Sequence, residues 1–378
     1  MRRDDTERLS REYAADAPRN SRLAAALNVD LPVWHALASE IIEDLDGESL
    51  GIGWWVPNPG TSRRVLISDH LFVCAQSVTT NLVEARLHLL EAADFWEREN
   101  DFNARAVSIT RDRRIGIQVP NRMRPVDDVQ SSMVTLHTVG FIRAIAGALD
   151  CLGAVIVGVA ALKVNILRAD LDRARRALGR IGGAGRGEQL QRDLNGALEA
   201  AINESGPSGW LPWATDLRNM LIHRGRRLWI SELRPMPSSI ISPGGEPVIR
   251  TDVIHLLPRD PGKSDVEMFL SAGTPPVLTE SAEITLRGIL ESTLSLLERS
   301  GHLLLNLWRT RRADPGVLTQ PREQWPDGPS STVTGFAGFA PDSAPYTPDH
   351  FRSNETLLRR ISAASVDDAK RDAWKTFD

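Results

Sequence analysis

Apolar residues recur every three or four positions along most of this chain, the spacing that places them on one face of an α-helix. The pattern predicts a short amphipathic helix over residues 31–45 and a longer one over 73–99. It predicts the clearest helix over 280–311, which begins with acidic residues and ends in the basic run RTRR, as the helix dipole favours. Helices with one apolar face bury that face against each other, so these segments predict a helical bundle.

The most apolar stretch, AIAGALDCLGAVIVGVAAL at 144–162, predicts a buried core helix. Asp150 interrupts it, and the apolar run after this carboxylate is about half the roughly 20 residues that a bilayer-spanning helix requires. We therefore expect no membrane association. The helix is predicted to start at a cap at Asp127 or Asp128 and to kink within 163–170, where it meets the run ADLDRARRALGR.

Two segments change from helical spacing to an alternation of apolar and polar residues, which is the period of a β-strand. The first, residues 106–119 around RDRR, predicts a small hairpin closed by prolines. The second, residues 235–276, holds the turn SPGGEP and the strand-like VIRTDVIHLL, and it predicts an inserted hairpin and loop. The predicted fold class is therefore all-α, a helical bundle with small β-hairpin insertions.

These elements divide the chain into four parts. We predict a flexible N-terminal arm over 1–30 and a short helix with a Trp-rich connection over 31–72. The helical bundle with its inserted hairpins occupies 73–312, and a Pro/Gly-rich linker with a short C-terminal helix occupies 313–378. The run GGAGRG at 182–187 joins two predicted helices and lacks the preceding strand and the Gly-Lys-Ser/Thr of a phosphate loop, so we interpret it as a flexible link.

Composition and charge exclude several classes of protein. The 378 residues are 42% hydrophobic with a net charge of -4, which excludes a disordered chain and a uniformly basic nucleic-acid coat but allows a local basic site. Cys74 and Cys151 are the only cysteines and lie in apolar surroundings, so neither a disulfide framework nor a cysteine-rich zinc site is expected. The histidines lack metal-ligand spacing. We expect a cytoplasmic protein with no signal peptide, metal or cofactor.

The stretch RNMLIHRG at 218–225 carries the candidate chemistry. Asn219 and His223 are four residues apart and share one side of a helix, so the amide can hydrogen-bond the imidazole and fix its tautomer. Arg218 lies roughly 140° from His223 around the helix, so these two side chains flank a face. A histidine that moves protons and a guanidinium that holds developing charge suffice for phosphodiester cleavage without a metal ion.

Charged and aromatic residues surround this motif. The arginines that follow it form either a phosphate track or a solvated helix end near the negative pole of the dipole: Arg224, Arg226 and Arg227. The nearby tryptophans are interpreted as core or interface residues rather than base-stacking platforms: Trp210, Trp213 and Trp229. Asp150 lies among apolar residues and requires a cationic partner, for which the candidates are Arg143, Lys163 and, preferred, Arg218.

With Arg218, Asn219 and His223 near the end of a predicted bundle helix, the chain resembles the HEPN family (higher eukaryotes and prokaryotes nucleotide-binding). The signature of that family is an Arg, commonly followed by a polar residue, and a His four to six residues beyond, here R-N-x-x-x-H. The helix that holds FIRAIAGALDCLGAVI is also similar to the early helix of the HEPN bundle. The resemblance covers roughly 73–312 with interruptions. One toxin branch has Tyr where this chain has Gly225, so the resemblance does not extend to that branch.

The resemblance implies a metal-independent endoribonuclease, in which the 2'-hydroxyl of RNA attacks the adjacent phosphate and leaves a 2',3'-cyclic phosphate and a 5'-hydroxyl. His223 is then the general acid or base, Arg218 the phosphate clamp and Asn219 the orienting residue, with Asp150 in support. The family further implies a symmetric homodimer with two Arg-His pairs in one basic cleft, and a role as a toxin or phage-defence effector under a regulatory protein partner.

The competing interpretation is a non-catalytic HEPN-like protein that binds nucleotides or RNA, or acts as a scaffold that recruits a partner. The net acidity of the chain and its long Pro-rich insertion favour this second interpretation, whereas the intact Arg-Asn-His set favours the enzyme.

Overall fold

The computed structural model describes residues 31–43, 61–112, 125–223, 230–241, 247–270 and 276–319, and the single positions Ser21, Ala24, Pro321, Gln324 and Phe339. Across these residues the chain is mostly helical, which confirms the predicted all-α class at that level.

Eight α-helices are present in the described part of the chain. In chain order they are α1 (Pro32–Glu43), α2 (Thr61–Asp112), α3 (Pro125–Val159), α4 (Leu171–Leu178), α5 (Arg186–Ser205), α6 (Trp210–His223), α7 (Asp265–Leu270) and α8 (Ala282–Ala313). A 3-10 turn at Ile166–Arg168 separates α3 from α4. The helices predicted over 31–45 and 280–311 are confirmed as α1 and α8.

The hairpin predicted over 106–119 is wrong in its first half, because α2 continues as a helix to Asp112. Residues 113–119 lie outside the described residues. The alternation of apolar residues before RDRR spans too few positions to separate a strand from a helix. The sequence of α2 contains neither glycine nor proline, so no residue within it terminates the helix. The helix predicted over 73–99 is therefore only the central part of α2.

The second predicted β insertion is an antiparallel hairpin of β1 (Ile230–Ile241) and β2 (Pro247–Leu256). It begins before the predicted segment 235–276 and ends well inside it. The described residues beyond β2 in that segment hold α7 and an isolated bridge that joins Pro258 to Val277. The predicted hairpin is therefore confirmed, but its strands lie at other positions than the sequence indicated.

The kink predicted within 163–170 is a complete break between two helices. The helix α3 ends at Val159, and Ala161 takes a positive φ of 51°, which turns the chain out of the helix. Asn165 then caps the 3-10 turn and Asp170 caps α4, each accepting a hydrogen bond from a backbone N–H, at 3.0 and 2.7 Å. The backbone turn at Ala161 thus ends α3, and short polar side chains start the 3-10 turn and α4.

The other end of α3 also differs from the prediction. The helix starts at Pro125 rather than at the predicted caps Asp127 and Asp128, because proline suits the first helical position, where its missing N–H is not needed. The prediction that 144–162 forms a buried core helix is confirmed for 144–159, most of whose side chains are buried, whereas 160–162 are buried but lie beyond the helix end. By length and composition Ser132–Val159 could cross a membrane, and 78% of its most apolar window is buried inside the fold.

Contacts divide the described residues into two compact units. Unit 1 holds 79–148 and 200–297, and unit 2 holds 31–78, 149–199 and 298–378. The core of unit 1 is formed by apolar side chains of α2, α3, α6 and α8: Leu82, Ala85, Trp96, Phe141, Leu217 and Leu286. The core of unit 2 is formed by side chains of α1, α2, α3 and α8: Trp34, Leu37, Ile41, Leu71, Leu152, Ile156 and Trp308.

The C-terminal end of α3 is buried in unit 2, where its last carbonyl groups need hydrogen-bond donors. Arg311 of α8 is fully buried, and its Nη1 donates to the carbonyls of Gly158 at 3.0 Å and Val159 at 2.7 Å. Its Nε donates to the carbonyl of Leu318 at 3.2 Å. Burial lowers the pKa of Arg311 to about 9, so the guanidinium stays charged at neutral pH and faces the negative end of the helix dipole.

Two glutamines complete this cap. The Nε2 of the buried Gln324 donates to the carbonyl of Val157 at 2.6 Å, and the Nε2 of Gln191, from α5, donates to the carbonyl of Ala160 at 2.7 Å. Donors from α5, α8 and the segment near residue 324 therefore meet at one helix end. The cap joins parts of unit 2 that are far apart in sequence.

We expect Arg311→Met to lower the free energy of unfolding by about 3 kcal/mol, because the carbonyls of Val159 and Leu318 lose the guanidinium donor and that of Gly158 keeps only its backbone bond from Ala161. Urea denaturation followed by circular dichroism measures this change. The control is Arg287→Met, which removes an exposed pair with Glu283 in α8 and should change stability by no more than about 0.5 kcal/mol. Equal, small losses in both variants would contradict a structural role for the buried guanidinium.

Candidate functional site

Helix α6 carries the R-N-x-x-x-H motif at its C-terminal end. The helix follows Gly209, whose φ of 82° lies in the region that favours glycine. Its buried face lies in unit 1 and consists of residues one, three or four positions apart: Trp210, Leu211, Ala214, Leu217, Met220 and Leu221. Because buried neighbours lie on both sides of Arg218 and Asn219 in the sequence, the backbone of the motif is held by the core.

Two tryptophans of α6 are held by hydrogen bonds within unit 1. Trp210 is buried, and its indole N–H donates to a carbonyl of α5 at 3.2 Å. The indole N–H of Trp213 donates to the carbonyls of Pro258 at 3.3 Å and Arg259 at 3.0 Å, which ties the segment after β2 to α6. The interpretation as a core residue is therefore confirmed for Trp210, whereas Trp213 is half-buried, and the choice between core and interface stays open for it. Trp229 lies outside the described residues.

The predicted catalytic residues lie together on the last turns of α6. Arg218 and Asn219 are half-buried, and His223 is the last residue of the helix. Asn219 and His223 are thus one helical turn apart, as predicted. The side chain of His223 lies outside the described residues, as do the predicted substrate-binding residues Arg224, Arg226 and Arg227. The negative end of the helix dipole favours positive charge at this position.

Asp150, the predicted supporting carboxylate, is half-buried on α3 and belongs to unit 2. It acts electrostatically on the neighbouring thiol of Cys151. Arg218 belongs to unit 1, and its pairing with Asp150 stays a prediction.

Unit 2 contains a second candidate site, a cavity of about 870 Å³. It lies between the chain after α3, the helix α4, the start of α5, residues 316–319 and Pro321. Its charged lining consists of four cations and one carboxylate: Lys163, Arg173, Arg176, Arg180 and Glu188. We call it the basic cavity. Its volume suits a ligand of nucleotide size.

The four cations of the basic cavity are not equivalent. Arg173 pairs with Asp170 at 3.2 Å, and Arg176 pairs with another aspartate of α4 at 2.7 Å. Lys163 and Arg180 are exposed, and neither has an ion-pair partner within the described ranges. These two side chains can therefore meet an anion without first losing a carboxylate.

The run GGAGRG at 182–187 joins α4 to α5, as predicted. Gly183 has a φ of 100°, which favours glycine at this point of the turn. The carboxylate of Glu188 lies over the run, and a Cβ on Gly185 would be 2.2 Å from its Oε2. The start of α5 is thus covered by a carboxylate of the chain itself, which supports the interpretation of this run as a link rather than a phosphate loop.

The basic cavity was not predicted from the sequence. One signal for it exists, because Arg173, Arg176 and Arg180 are spaced by three and four residues and give one side of ADLDRARRALGR a basic face. Lys163 and residues 316–321 join the site through the tertiary fold, and no local pattern marks them.

A scan against protein-family models gives no match to this chain, and searches of the curated proteins and of the solved structures give no significant match.

We expect Trp213→Phe to lower the free energy of unfolding by about 1 kcal/mol, because the indole N–H bonds to Pro258 and Arg259 are lost. Amide hydrogen exchange of residues 257–263 should become faster, as measured by mass spectrometry. In the matched variant Trp210→Phe, exchange of 257–263 should not change. Unaltered exchange in both variants would show that Trp213 does not hold this segment.

Proposed function

We propose that this protein is a metal-independent endoribonuclease of the HEPN type, with Arg218, Asn219 and His223 in its active site. The observation that supports the proposal is the position of the motif, whose Arg and Asn are half-buried at the end of a helix anchored in the core of unit 1. Partial burial restricts a side chain and still lets it reach a ligand, and catalysis needs both properties.

In the proposed reaction the 2'-oxygen of RNA forms a bond to the adjacent phosphorus while the bond from phosphorus to the 5'-oxygen breaks. His223 takes the proton of the 2'-hydroxyl or gives a proton to the leaving 5'-oxygen. The guanidinium of Arg218 stabilises the extra negative charge of the phosphorane. Asn219, one turn from His223, orients the imidazole. The products are a 2',3'-cyclic phosphate and a 5'-hydroxyl.

A homodimer suits this chemistry, because the reaction needs one group that removes a proton and another that donates one, while each chain supplies one histidine in the motif. Two-fold symmetry supplies the second His223 together with a second Arg218. Arg224, Arg226 and Arg227 of both copies then contact the RNA phosphates. The proposed role is that of a cytoplasmic toxin or phage-defence effector restrained by a regulatory protein.

We expect His223→Ala to reduce RNA cleavage by roughly 10² to 10⁴-fold, because proton transfer by a positioned histidine contributes that much. Arg218→Ala should cause a loss of comparable order, roughly 10² to 10³-fold, since it removes a positioned charge at the phosphate. Asn219→Ala should have a smaller effect. Each variant is assayed on the same RNA with EDTA present, and product ends are identified by mass spectrometry.

The matched control for this series is His302→Ala, which removes an exposed histidine of α8 and should leave cleavage unchanged. Thermal unfolding of every variant separates loss of activity from loss of the fold. Cleavage that persists in His223→Ala, cleavage that EDTA abolishes, or products that end in a 3'-hydroxyl would each contradict the proposal.

A second candidate function is a non-catalytic protein that binds RNA or a nucleotide. The basic cavity favours it, because Lys163 and Arg180 present charge in a concave site that contains none of the motif residues. In this case the ligand phosphates contact the cations of the basic cavity, and Arg218, Asn219 and His223 contribute to the structure of α6 rather than to catalysis.

The double variant Lys163→Glu/Arg180→Glu tests this second function. If the cavity binds single-stranded RNA, affinity measured by fluorescence anisotropy falls, and the slope of log K against log salt falls by roughly 0.7 for each lost phosphate contact. The variant Arg259→Glu/Arg287→Glu changes the charge equally at exposed positions of unit 1 and should bind normally. Normal RNA binding by the cavity variant would exclude the cavity as the RNA site.

A further inference from the structure

The two cysteines of the chain, which are far apart in sequence, meet in unit 2. Cys74 lies on α2 and Cys151 on α3, and their side chains are hydrogen-bonded to each other. The Nε2 atom of His70, one helical turn before Cys74, lies 3.5 Å from the Cys74 sulfur. Two thiols and an imidazole therefore form one cluster, and neither the proposed ribonuclease mechanism nor the basic cavity uses it.

The two thiols differ in exposure. Cys74 is buried, with 7% of its surface exposed, whereas Cys151 is half-buried. A small oxidant therefore reaches Cys151 first, and Cys74 lies behind it as the second sulfur. This order is the one found in thiol pairs that react with peroxide, in which an accessible cysteine is oxidised and a neighbouring cysteine resolves the product.

The surroundings of Cys151 also favour its reactive form. The hydrogen bond from Cys74 lowers the pKa of Cys151 and outweighs two opposing effects, burial and the nearby charge of Asp150. A lower pKa means a larger thiolate fraction at neutral pH, and the thiolate is the nucleophile in thiol chemistry. His70 can accept the proton of Cys74, since its ring nitrogen lies at hydrogen-bond distance from that sulfur.

We propose that Cys74 and Cys151 form a peroxide-reactive dithiol that closes into an intramolecular disulfide, with Cys151 attacked first and His70 assisting Cys74. The site takes hydrogen peroxide or a small alkyl hydroperoxide as its oxidant. This modification site is independent of the proposed ribonuclease activity, and its test needs no RNA.

The chemistry proceeds in two balanced steps. The Cys151 thiolate attacks one peroxide oxygen, the O–O bond breaks, and a sulfenic acid and one water form after proton uptake. The sulfur of Cys74 then attacks the sulfur of Cys151, the S–O bond breaks, and the proton of Cys74 leaves with the hydroxide as a second water. Two thiols are oxidised by two electrons, and one peroxide is reduced to two waters.

The experiment treats the reduced full-length chain with hydrogen peroxide at low protein concentration. We expect the intact mass to fall by two hydrogens, and we expect a non-reduced digest to contain one peptide pair that joins Cys74 to Cys151. Dithiothreitol should restore the original mass. A wild-type product that carries only added oxygen atoms, or disulfides only between chains, would by itself overturn the proposal.

Conservative variants assign the roles of the three residues. Cys74→Ser should lose disulfide formation and accumulate sulfenic acid at Cys151, detected with a cyclic dione that labels sulfenic acids. Cys151→Ser should lose that label entirely. His70→Gln should still form the sulfenic acid and close the disulfide more slowly. Labelling of Cys74 rather than Cys151 in the wild type, or unchanged closure in His70→Gln, would contradict the assigned roles.

Discussion

The carbonyl groups at the C-terminal end of α3 impose the constraint on which unit 2 depends. A helix that ends inside a core leaves its last carbonyls without partners in the helix and without water, and each unsatisfied group costs about 1 to 3 kcal/mol. Backbone N–H groups of Ala161 and Leu162 donate to the carbonyls of Gly158 and Val157, and Arg311, Gln324 and Gln191 add side-chain donors from three separate parts of the chain. Because a hydrogen bond constrains both distance and direction, these side chains restrict how α5, α8 and Gln324 pack around the end of α3.

A similar arrangement holds the candidate active site, with a tryptophan in place of the arginine. Trp213 binds two consecutive carbonyls after β2, and the buried face of α6 includes Leu217, the residue directly before Arg218. Helix α6 is thus held in the core by its buried face and tied to the returning chain near its N-terminal end, whereas the motif lies at its C-terminal end. Polar residues on such an anchored helix keep their positions at little entropic cost, a property that the proposed catalysis needs.

The spacing of apolar residues and the positions of helix-ending residues predicted much of the fold, because local sequence determines both. The helices α1 and α8 follow from apolar spacing, and the predicted kink after α3 is in the structure a complete break. Apolar spacing predicted the wrong element at 106–112, because two alternating apolar residues also fit a helix. This helix contains no glycine or proline that would end it. In the sequence, Arg311 is one of several basic residues at a helix end, and nothing there marks it as buried. The contact between Cys74 and Cys151 depends on tertiary packing, which no local sequence pattern records.

The carboxylate of Glu188 places one negative charge, built into the chain itself, among the four cations that line the basic cavity. Because this carboxylate is covalently attached beside the start of α5, its effective concentration there is set by the fold, on the order of millimolar or above, and does not change with the solution. In the second candidate function, a polyanion that reaches Lys163 and Arg180 meets cations that have no ion pair among the described residues, so the number of charges on a ligand contributes to its selection.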